Sequence, residues 1–580
     1  MNSKVLYFGL FFIMFFGIKI YAQQKNEIGT QEVLVQKSYT PILFEAFMIN
    51  PTLKVPDSLV SNKKFLNFFI KSIPVISTFV PNKATPLKLQ QRSSTTPYNT
   101  FFSGGIGLKS QLYFDVSSVI AIDRKQSFGL KLYRDGFDSD ITNTLLKSNQ
   151  NYSRFGLHHN LRSNNYSVNS SMQLIGAKNN YYGLYDKEWD SQIINFLDPS
   201  VKRNFFKLRT HWDWYDFVVK DMEFQANITT DNFNTSEKQV VLNTDFEIPL
   251  GEGEITASTS IIGINTIFNK SYYDGIVQEK TTGLGSFRLF WQNRSSDLKL
   301  KIGGGISYVQ GTTDLSSSLL YYPEVEIFFH KNAAVIIPYF TANGGITLNS
   351  YQSLSQINPY LAPSTTLKPT FNKYNSELGV RSSLASVLNF DFGLLYDQIE
   401  NFMLFERLPF DFNNIENSYS LSNAFENKYS NLDMYGIRAS LRLDLAKNNF
   451  IRLETLYRHF ESNDLQSLWN IPSVEMNWEG QFKWKDLVTF SFQGSMLGNR
   501  TIAYRPIFLG QQAESVTFQE QLAPIFISTT SHLSVKLTEQ FDVFTKIKTN
   551  SKGPYGRWAY FQEPPFLILG GVTYKFDFPY

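Results

Sequence analysis

The chain has 580 residues, of which 16% are aromatic and only 18% are charged, and its net charge is +3. Soluble proteins carry roughly 25% charged residues, while a mean hydropathy of −0.22 excludes a bundle of membrane helices, and so small a net charge gives no reason to expect nucleic acid as a partner. The absence of cysteine excludes disulfides, thiol nucleophiles, thiolate zinc sites and a lipidated N-terminal cysteine.

Residues 1–22 have the layout of a cleaved secretory signal peptide. Lys4 forms a short basic region, an apolar run extends from Val5 to Ile18, and Ala22 supplies a small residue at the cleavage point. The run is short for a bilayer span and Lys19 interrupts it, which disfavours the alternative of an uncleaved anchor helix. The chain is therefore expected to be periplasmic, secreted or an outer-membrane barrel.

Hydrophobic periodicity distinguishes among these three classes. From Asp297 to Tyr308 the even positions are apolar or glycine apart from the closing tyrosine, while most odd positions are polar or charged. The same period of two appears in Ile437–Leu445 and, after a short turn, in Ile451–Arg458. This alternation predicts β-strands with one apolar and one polar face, and the last two segments predict a hairpin.

Twenty further segments between residues 101 and 577 have the composition of strands, including separate candidates at 388–399 and 402–409. Bacterial outer-membrane barrels close with an even number of strands. We therefore predict an all-β transmembrane antiparallel barrel of roughly 22 strands over residues 99–580, with 18–20 strands as the alternative.

The predicted connections alternate in length, as short periplasmic turns and long external loops do in such barrels. Short turns are expected at Ser163–Asn165, Asn293–Ser296 and Ala446–Asn449, and long loops at 134–150, 179–201, 346–370, 410–430 and 499–525. A soluble array of β-sandwiches is the competing interpretation, but it would show repeated modules of about 100 residues, and no repeat is visible. Aromatic residues also gather at segment ends, as in Trp212–Phe217, which suits the interfacial girdles of a barrel.

The C-terminal strand resembles the signal that the barrel-assembly machinery reads in outer-membrane proteins. Gly571 is followed by Tyr574 and Phe576, three and five positions later, and Phe578 adds another aromatic residue. The resemblance implies that the barrel-assembly machinery is a partner during biogenesis, and it identifies Gly571, Tyr574, Phe576 and Phe578 as the candidate assembly signal.

Two regions of the C-terminal 40% of the chain resemble TonB-dependent receptors, the 22-stranded active importers of the outer membrane. The first comprises Asn358-Pro359-Tyr360-Leu361, Leu367-Lys368-Pro369 and Asn375-Ser376-Glu377-Leu378-Gly379, and the second runs through Leu395–Met403, Tyr429–Asn431 and Gly436-Ile437. The first is similar to an Asn-Pro-x-Leu-Lys-Pro-Glu loop followed by a Glu-Leu-Gly strand, although six extra residues separate its halves and Thr370 replaces the acid. The resemblance implies a receptor-like transporter for solute uptake, with TonB as an energy-transducing partner.

The N-terminal segment, residues 23–98, departs from that family. Its 76 residues are fewer than the globular plug of well over a hundred residues that the receptors place there. Glu32, Val33, Leu34, Val35 and Gln36 resemble a TonB box, which pairs with TonB by strand addition, although such a string is also an ordinary strand start. We predict that the segment lies at the periplasmic mouth or inside the lumen as a reduced plug.

The sequence predicts no enzyme, cofactor or metal site. The six histidines, His158, His159, His211, His330, His459 and His532, lack ligand spacing. Gly303–Gly305 lies within a strand and not before a helix, so it does not form a phosphate-binding loop.

Charged residues on the polar strand faces are the candidate lining of the lumen. They are Lys299, Lys301, Arg438, Arg442, Asp444, Arg452, Glu454 and Arg458, with Lys536, Lys546 and Lys548 further along the chain. A basic lining would favour anionic solutes. The alternative is that these bases pair with carboxylates across strands and hydrate the interior.

Three functional classes follow for this predicted protein of a Gram-negative outer membrane. The family resemblance favours a receptor-like importer, whereas the short N-terminal segment favours a passive porin or a structural scaffold barrel that binds an outer-membrane lipoprotein. The substrate cannot be derived from the sequence.

Overall fold

The computed structural model describes residues 98–185, 191–270, 277–293, 297–311, 314–330, 335–384, 387–408, 417–462, 464, 468–504, 519–553 and 555–578. The predicted signal peptide, the segment resembling a TonB box and all but the last residue of the predicted plug lie outside these ranges. Those three assignments remain predictions.

The described chain is almost entirely antiparallel β-sheet. Its strands are β1 Thr100–Gly107, β2 Gln111–Ala121, β3 Gln126–Ser139, β4 Ser148–Arg162, β5 Tyr166–Asn180, β6 Ser200–Trp214, β7 Val219–Asp231, β8 Ser236–Leu250, β9 Gly253–Phe268, β10 Gln278–Asn293, β11 Leu298–Gln310, β12 Leu319–Phe329, β13 Ile336–Thr347, β14 Thr370–Leu384, β15 Leu388–Arg407, β16 Phe425–Ala446, β17 Asn449–Ser462, β18 Pro472–Trp484, β19 Val488–Tyr504, β20 Gln519–Ala523, β21 Phe526–Lys536, β22 Phe541–Asn550 and β23 Phe566–Phe576. One α-helix, α1, spans Tyr351–Ile357, and 3-10 turns occupy Ser191–Phe196 and Ser418–Ser420.

Apart from β20 and β21, each strand pairs with the next, and β1 pairs with β23, so the sheet closes into a barrel. β20 and β21 are two parts of one barrel strand, because both pair with β19, through Arg500–Tyr504 and Val488–Leu497 respectively. The break between them contains Pro524, which has no N–H to donate to a ladder. The wall therefore has 22 strands, which confirms the predicted fold class and the larger of the two strand counts.

Two candidate strands predicted at 388–399 and 402–409 form the single strand β15. The ladder with β16 shifts its register between Ile399 and Phe402, and Asn401 has a φ of 55°. This bulge interrupts the period-two pattern without ending the strand. The two predicted strands are therefore one strand of the wall.

The connections alternate in length around the barrel. At one end they span only two to six residues, and this end also holds the start of β1 and the end of β23. At the other end they include the long connections 181–199, 348–369, 408–424 and 551–565. Short turns mark the periplasmic side of outer-membrane barrels and long loops the external side.

The outward faces of the strands expose apolar side chains. Ile106, Leu174, Ile302 and Leu378 are each between 46% and 73% exposed, and the aromatic Trp484 at the periplasmic end of β18 is 68% exposed. Such a band would be unstable in water but suits a bilayer, and this barrel architecture is that of the outer membrane. The predicted outer-membrane location is thereby confirmed. Within the described residues, no helix is both long and apolar enough to cross a bilayer.

The strands on either side of the closing seam approach closely because glycines face each other there. Gly105 of β1 pairs with Gly571 of β23, and a Cβ atom added at Gly105 would lie 2.6 Å from Leu569 Cδ2 and 2.9 Å from the Gly570 carbonyl oxygen. A larger residue at this position would force the two strands apart. Glycine therefore permits closure at this seam.

Substitution of Gly105 should weaken barrel closure. We expect Gly105→Val to reduce the fraction of chains that show the heat-modifiable gel mobility of a folded barrel, and to lower the unfolding temperature. Gly285→Val is the matched control, because a Cβ at Gly285 meets nothing within 4 Å and should leave both measurements unchanged. Equal behaviour of the two variants would contradict the role of Gly105 in closure.

Candidate functional site: the loop cap over the barrel mouth

The external connections pack into a compact structure that we call the loop cap. It comprises the described residues of the connections 140–147, 181–199, 348–369, 408–424 and 551–565. Its core contains fully or almost fully buried apolar residues, among them Tyr181, Tyr182, Leu184, Leu354, Leu361, Leu421 and Phe425. Strand residues at the external end of the wall, among them Val201, Phe268, Phe405 and Phe425, belong to the same core. Full burial of one such side chain contributes about 1.5–3 kcal/mol.

Loops from opposite sides of the barrel meet in the cap. The connection 181–199 follows β5 and the connection 408–424 follows β15, about half the circumference away. Asn423 Nδ2 and Ser418 Oγ donate to the Tyr181 carbonyl oxygen at 2.7 and 2.8 Å, and Asp198 pairs with Asn417 in a parallel β-bridge. The two loops can reach each other only by crossing the mouth of the barrel.

The connection 348–369 also crosses the mouth. It leaves β13, yet Gln150 Nε2 on β4 donates to the Tyr360 hydroxyl at 3.3 Å. Further along, Ala362 N donates to the Phe425 carbonyl oxygen and Phe425 N to the Tyr360 carbonyl oxygen. This loop therefore joins three parts of the wall.

A buried arginine on the wall holds this crossing loop. Arg203 on β6 is 2% exposed, and its guanidinium donates to the carbonyl oxygens of Pro359 and Leu361 at 2.7 and 2.8 Å and to the Tyr351 hydroxyl at 3.0 Å. Alternation along the strand turns Arg203 to the inner face, beside the loop. The contact with Tyr351 fixes the start of the loop, and the contacts with Pro359 and Leu361 fix the backbone at its middle.

A buried carboxylate holds the first turn of α1 in the same loop. Glu237 on β8 is 1% exposed, and it accepts the backbone N–H groups of Tyr351 and Gln352 at 2.6 and 2.8 Å and the Thr266 hydroxyl at 2.8 Å. Buried polar groups are tolerated where they are hydrogen-bonded in this way. Arg203 and Glu237 together attach the crossing loop to β6 and β8, which lie seven and five strands from β13 in the wall.

Aromatic contacts extend the cap to the last external connection. The rings of Tyr360 and Phe561 stack with their centroids 3.7 Å apart, and the Tyr182 hydroxyl donates to the Gln562 carbonyl oxygen at 2.9 Å. Burial raises the pKa of Tyr360 to about 12, so its hydroxyl stays neutral at physiological pH.

The cap can act as a barrier to solutes that approach from outside. Barrels of this size enclose a lumen wide enough to need filling or gating. Among the described residues, loops from opposite sides of the wall cross the mouth and bury side chains against each other, which narrows the path that a solute can take. The attachments of Arg203 and Glu237 are the contacts that would have to break or shift to widen it.

The charged residues predicted to line the lumen lie on the strand face opposite the exposed apolar side chains. Among the described residues, a carboxylate lies within ion-pair distance of Lys301 (Glu324, Glu326), Arg438 (Glu377, Asp391), Arg442 (Asp444), Arg452 (Glu454, Glu479), Arg458 (Glu475), Lys536 (Glu539), Lys546 (Asp135) and Lys548 (Glu563). Lys299 differs, since its Nζ lies 5.8 Å from the Phe328 ring. This geometry is the one that the pairing interpretation expects.

The candidate assembly signal lies along β23 and the residues that follow it. Tyr574 is 42% exposed and Phe578 is 50% exposed, and these two and Phe576 alternate with Thr573 and Lys575. Gly571 lies at the seam with β1. The structure thus places the aromatic residues of the signal at the periplasmic end of the wall.

Sequence analysis did not identify Arg203 or Glu237. Each is a single charged residue at the external end of a strand, and its partners in the crossing loop lie more than 100 residues away. Only the Asn358–Pro369 motif gave a signal, because the structure places it in the crossing loop. Sequence analysis treated it as a family resemblance and not as a part of the cap.

The barrel is similar to solved structures of outer-membrane receptors. They include the siderophore receptor PirA from Acinetobacter baumannii (12% identity, 82% of this chain and 80% of that chain, TM-score 0.59) and the FrpB iron transporter from Neisseria meningitidis (9%, 83% and 82%, TM-score 0.59). The ferripyoverdine receptor of the outer membrane of Pseudomonas aeruginosa is another (11%, 83% and 72%, TM-score 0.59). No protein-family profile and no curated protein sequence matches the chain. At these identities the similarity shows the fold alone, and it confirms the predicted receptor-like barrel.

Removal of the Arg203 guanidinium should loosen the cap. Arg203→Met keeps an apolar side chain but removes three hydrogen bonds from a charged donor, each of which contributes about 1.5–3 kcal/mol. We expect a several-fold increase in the rate at which small sugars swell proteoliposomes that contain the variant. Lys202→Met is the control, because Lys202 is exposed on the other face of the same strand. An unchanged swelling rate for Arg203→Met would show that Arg203 does not hold the barrier closed.

Proposed function

We propose that the protein is an outer-membrane importer that takes up a solute from outside by moving the loop cap. The observation that carries this proposal is that loops from opposite sides of the wall bury one another across the mouth. A passive porin needs an open aqueous channel, and such a cap would defeat it. A barrier that has a hydrophobic core suits transport in which ligand binding or energy input opens the path.

The fold supports the same class of function. The similar solved structures are named as siderophore receptors and iron transporters. Ferric chelates are therefore the first solutes to test.

Cross-linking the cap should stop uptake. Asp198 and Asn417 pair as β-bridge partners on opposing loops, a spacing that suits a disulfide. The natural chain contains no cysteine. Asp198→Cys/Asn417→Cys should therefore form a single defined bridge when oxidised. We expect uptake of a radiolabelled ferric chelate to be lost in the oxidised double variant and restored by a reductant.

The two single-cysteine variants control for loss of the native side chains, and both should transport in either redox state. Transport by the oxidised double variant at the rate of the reduced protein would contradict movement of these two loops. If the unmodified protein takes up no ferric chelate, other solutes are screened. The readout is then the swelling of proteoliposomes that contain the double-cysteine variant in its oxidised and reduced states.

TonB coupling is the further part of the proposal, and it rests on Val33 and Val35. A TonB box pairs through its backbone, and proline lacks the N–H group that such pairing uses. We expect Val33→Pro/Val35→Pro to abolish energy-dependent uptake, while Val33→Thr/Val35→Thr, which keeps β-branched residues, retains most of it. The measurement is uptake with and without an uncoupler of the proton gradient.

Equal uptake by the proline and threonine variants would contradict TonB coupling and favour a passive or scaffold barrel. Purification after mild detergent extraction then separates these two outcomes. A stoichiometric outer-membrane lipoprotein would identify a scaffold, and its absence together with solute leakage would identify a porin.

A further inference from the structure

A cluster of metal-ligating side chains lies on the inner face of the β6–β7 hairpin, at the opposite end of the barrel from the cap. His211 and Asp213 share one face of β6, and Asp221 lies directly opposite Asp213 on β7. His211 Nε2 is 2.8 Å from Asp213 Oδ1 and 2.9 Å from Asp221 Oδ2. One donor atom from each residue lies within 4.8 Å of the other two, which is close enough for all three to contact one ion.

We propose that His211, Asp213 and Asp221 bind a divalent transition-metal cation of the Zn²⁺ class. An imidazole nitrogen together with carboxylate oxygens is a ligand set that such cations accept, whereas Mg²⁺ and Ca²⁺ select oxygen ligands alone. The three side chains are between 25% and 39% exposed. Water can therefore complete the coordination shell, and the ion can exchange with the lumen.

The second nitrogen of the imidazole ring, Nδ1, is buried and has no hydrogen-bond partner among the described residues. The carboxylate on that side of the ring belongs to Glu223, whose Oε2 lies 3.8 Å away, beyond hydrogen-bonding distance. Glu223 is itself held by Arg209 and Gln225. The ring is therefore positioned by the two aspartates at Nε2, the nitrogen that would face the ion.

One of the aspartates is also oriented from outside the cluster. Ser167 Oγ on β5 donates to Asp213 Oδ2 at 2.9 Å, which leaves Oδ1 turned to His211. Asp213 thus presents one oxygen to the proposed ion while its other oxygen is occupied by the wall. This is the arrangement expected of a ligand whose position is set before the cation binds.

The charge balance on this part of the wall also calls for a cation. Asp213, Asp221 and Asp245 lie opposite one another in register across β6, β7 and β8, and like charges directly opposite are destabilising. Among the described residues, no lysine or arginine forms an ion pair with any of the three, since Arg209 pairs with Glu223. A neutral imidazole can donate one N–H to only one carboxylate. A divalent ion offsets two carboxylate charges at once.

The sequence contains the pattern that would have found this site. His211-x-Asp213 places two ligands on one face of a strand, and the turn 215–218 brings Asp221 opposite Asp213. The sequence analysis searched for spacings between histidines and therefore did not combine a lone histidine with the acids of the neighbouring strand.

Metal binding can be measured on the full-length barrel without knowledge of its solute. The protein, purified in detergent without a polyhistidine tag and stripped with a chelator, is titrated with Zn²⁺ by isothermal calorimetry. Co²⁺ is used as a second probe for its visible absorption. We expect one saturable site per barrel, lost in His211→Ala and in the isosteric Asp221→Asn.

His158→Ala is the matched control, because His158 is an exposed histidine on another strand and should leave binding unchanged. Heat-modifiable gel mobility shows whether each variant is folded, and Asp221→Asn preserves side-chain volume if His211→Ala misfolds. Absence of a saturable Zn²⁺ signal in the unmodified protein would overturn the proposal. Binding that survives both His211→Ala and Asp221→Asn would overturn it as well.

Discussion

Backbone hydrogen bonding in a medium without water is the constraint on which this molecule depends. An unpaired N–H or C=O group costs several kcal/mol in lipid, so a sheet can cross a membrane only when it has no free edge. Pairing of β1 with β23 removes that edge, and every other feature follows from the closed wall. Closure fixes alternation along each strand, which sends apolar side chains outward and charged side chains inward. It also fixes which loops share an end of the barrel.

A closed wall of this size encloses a wide interior. The external loops pack across its mouth and form a hydrophobic core there. This core is assembled from connections far apart in sequence, and it is attached to the wall by two buried charged residues, Arg203 and Glu237. Neither residue forms a simple ion pair: the arginine is satisfied by carbonyl oxygens and the glutamate by backbone N–H groups. Most of their contacts are with backbone atoms of the crossing loop. Attachment of the loop therefore depends more on its backbone conformation than on most of its side chains.

Most of the wall could be predicted from the sequence, but little of the cap could. Period-two alternation in segments such as Asp297–Tyr308 depends only on neighbours in the chain, and it identified the fold class and the alternation of loop lengths. It failed at Asn401, where a bulge breaks the alternation while the strand continues. The cap depends on contacts such as Gln150 with Tyr360, for which local pattern contains no information. The proposed metal site lies between these cases, since a hairpin register sufficed to place Asp221 beside His211.

The eight residues of β1 set a limit on the membrane that surrounds the barrel. At about 3.4 Å per residue the strand is about 27 Å long, and with a tilt of roughly 40° it rises only about 20 Å, less than the usual apolar band of about 25 Å. The bilayer beside the β1–β23 seam must therefore become thinner, or the strand ends must meet headgroups at the depth of acyl chains. β15 and β16, with 20 and 22 residues, impose no such limit on the far side. The membrane beside the seam therefore meets a shorter wall than the membrane beside β15 and β16.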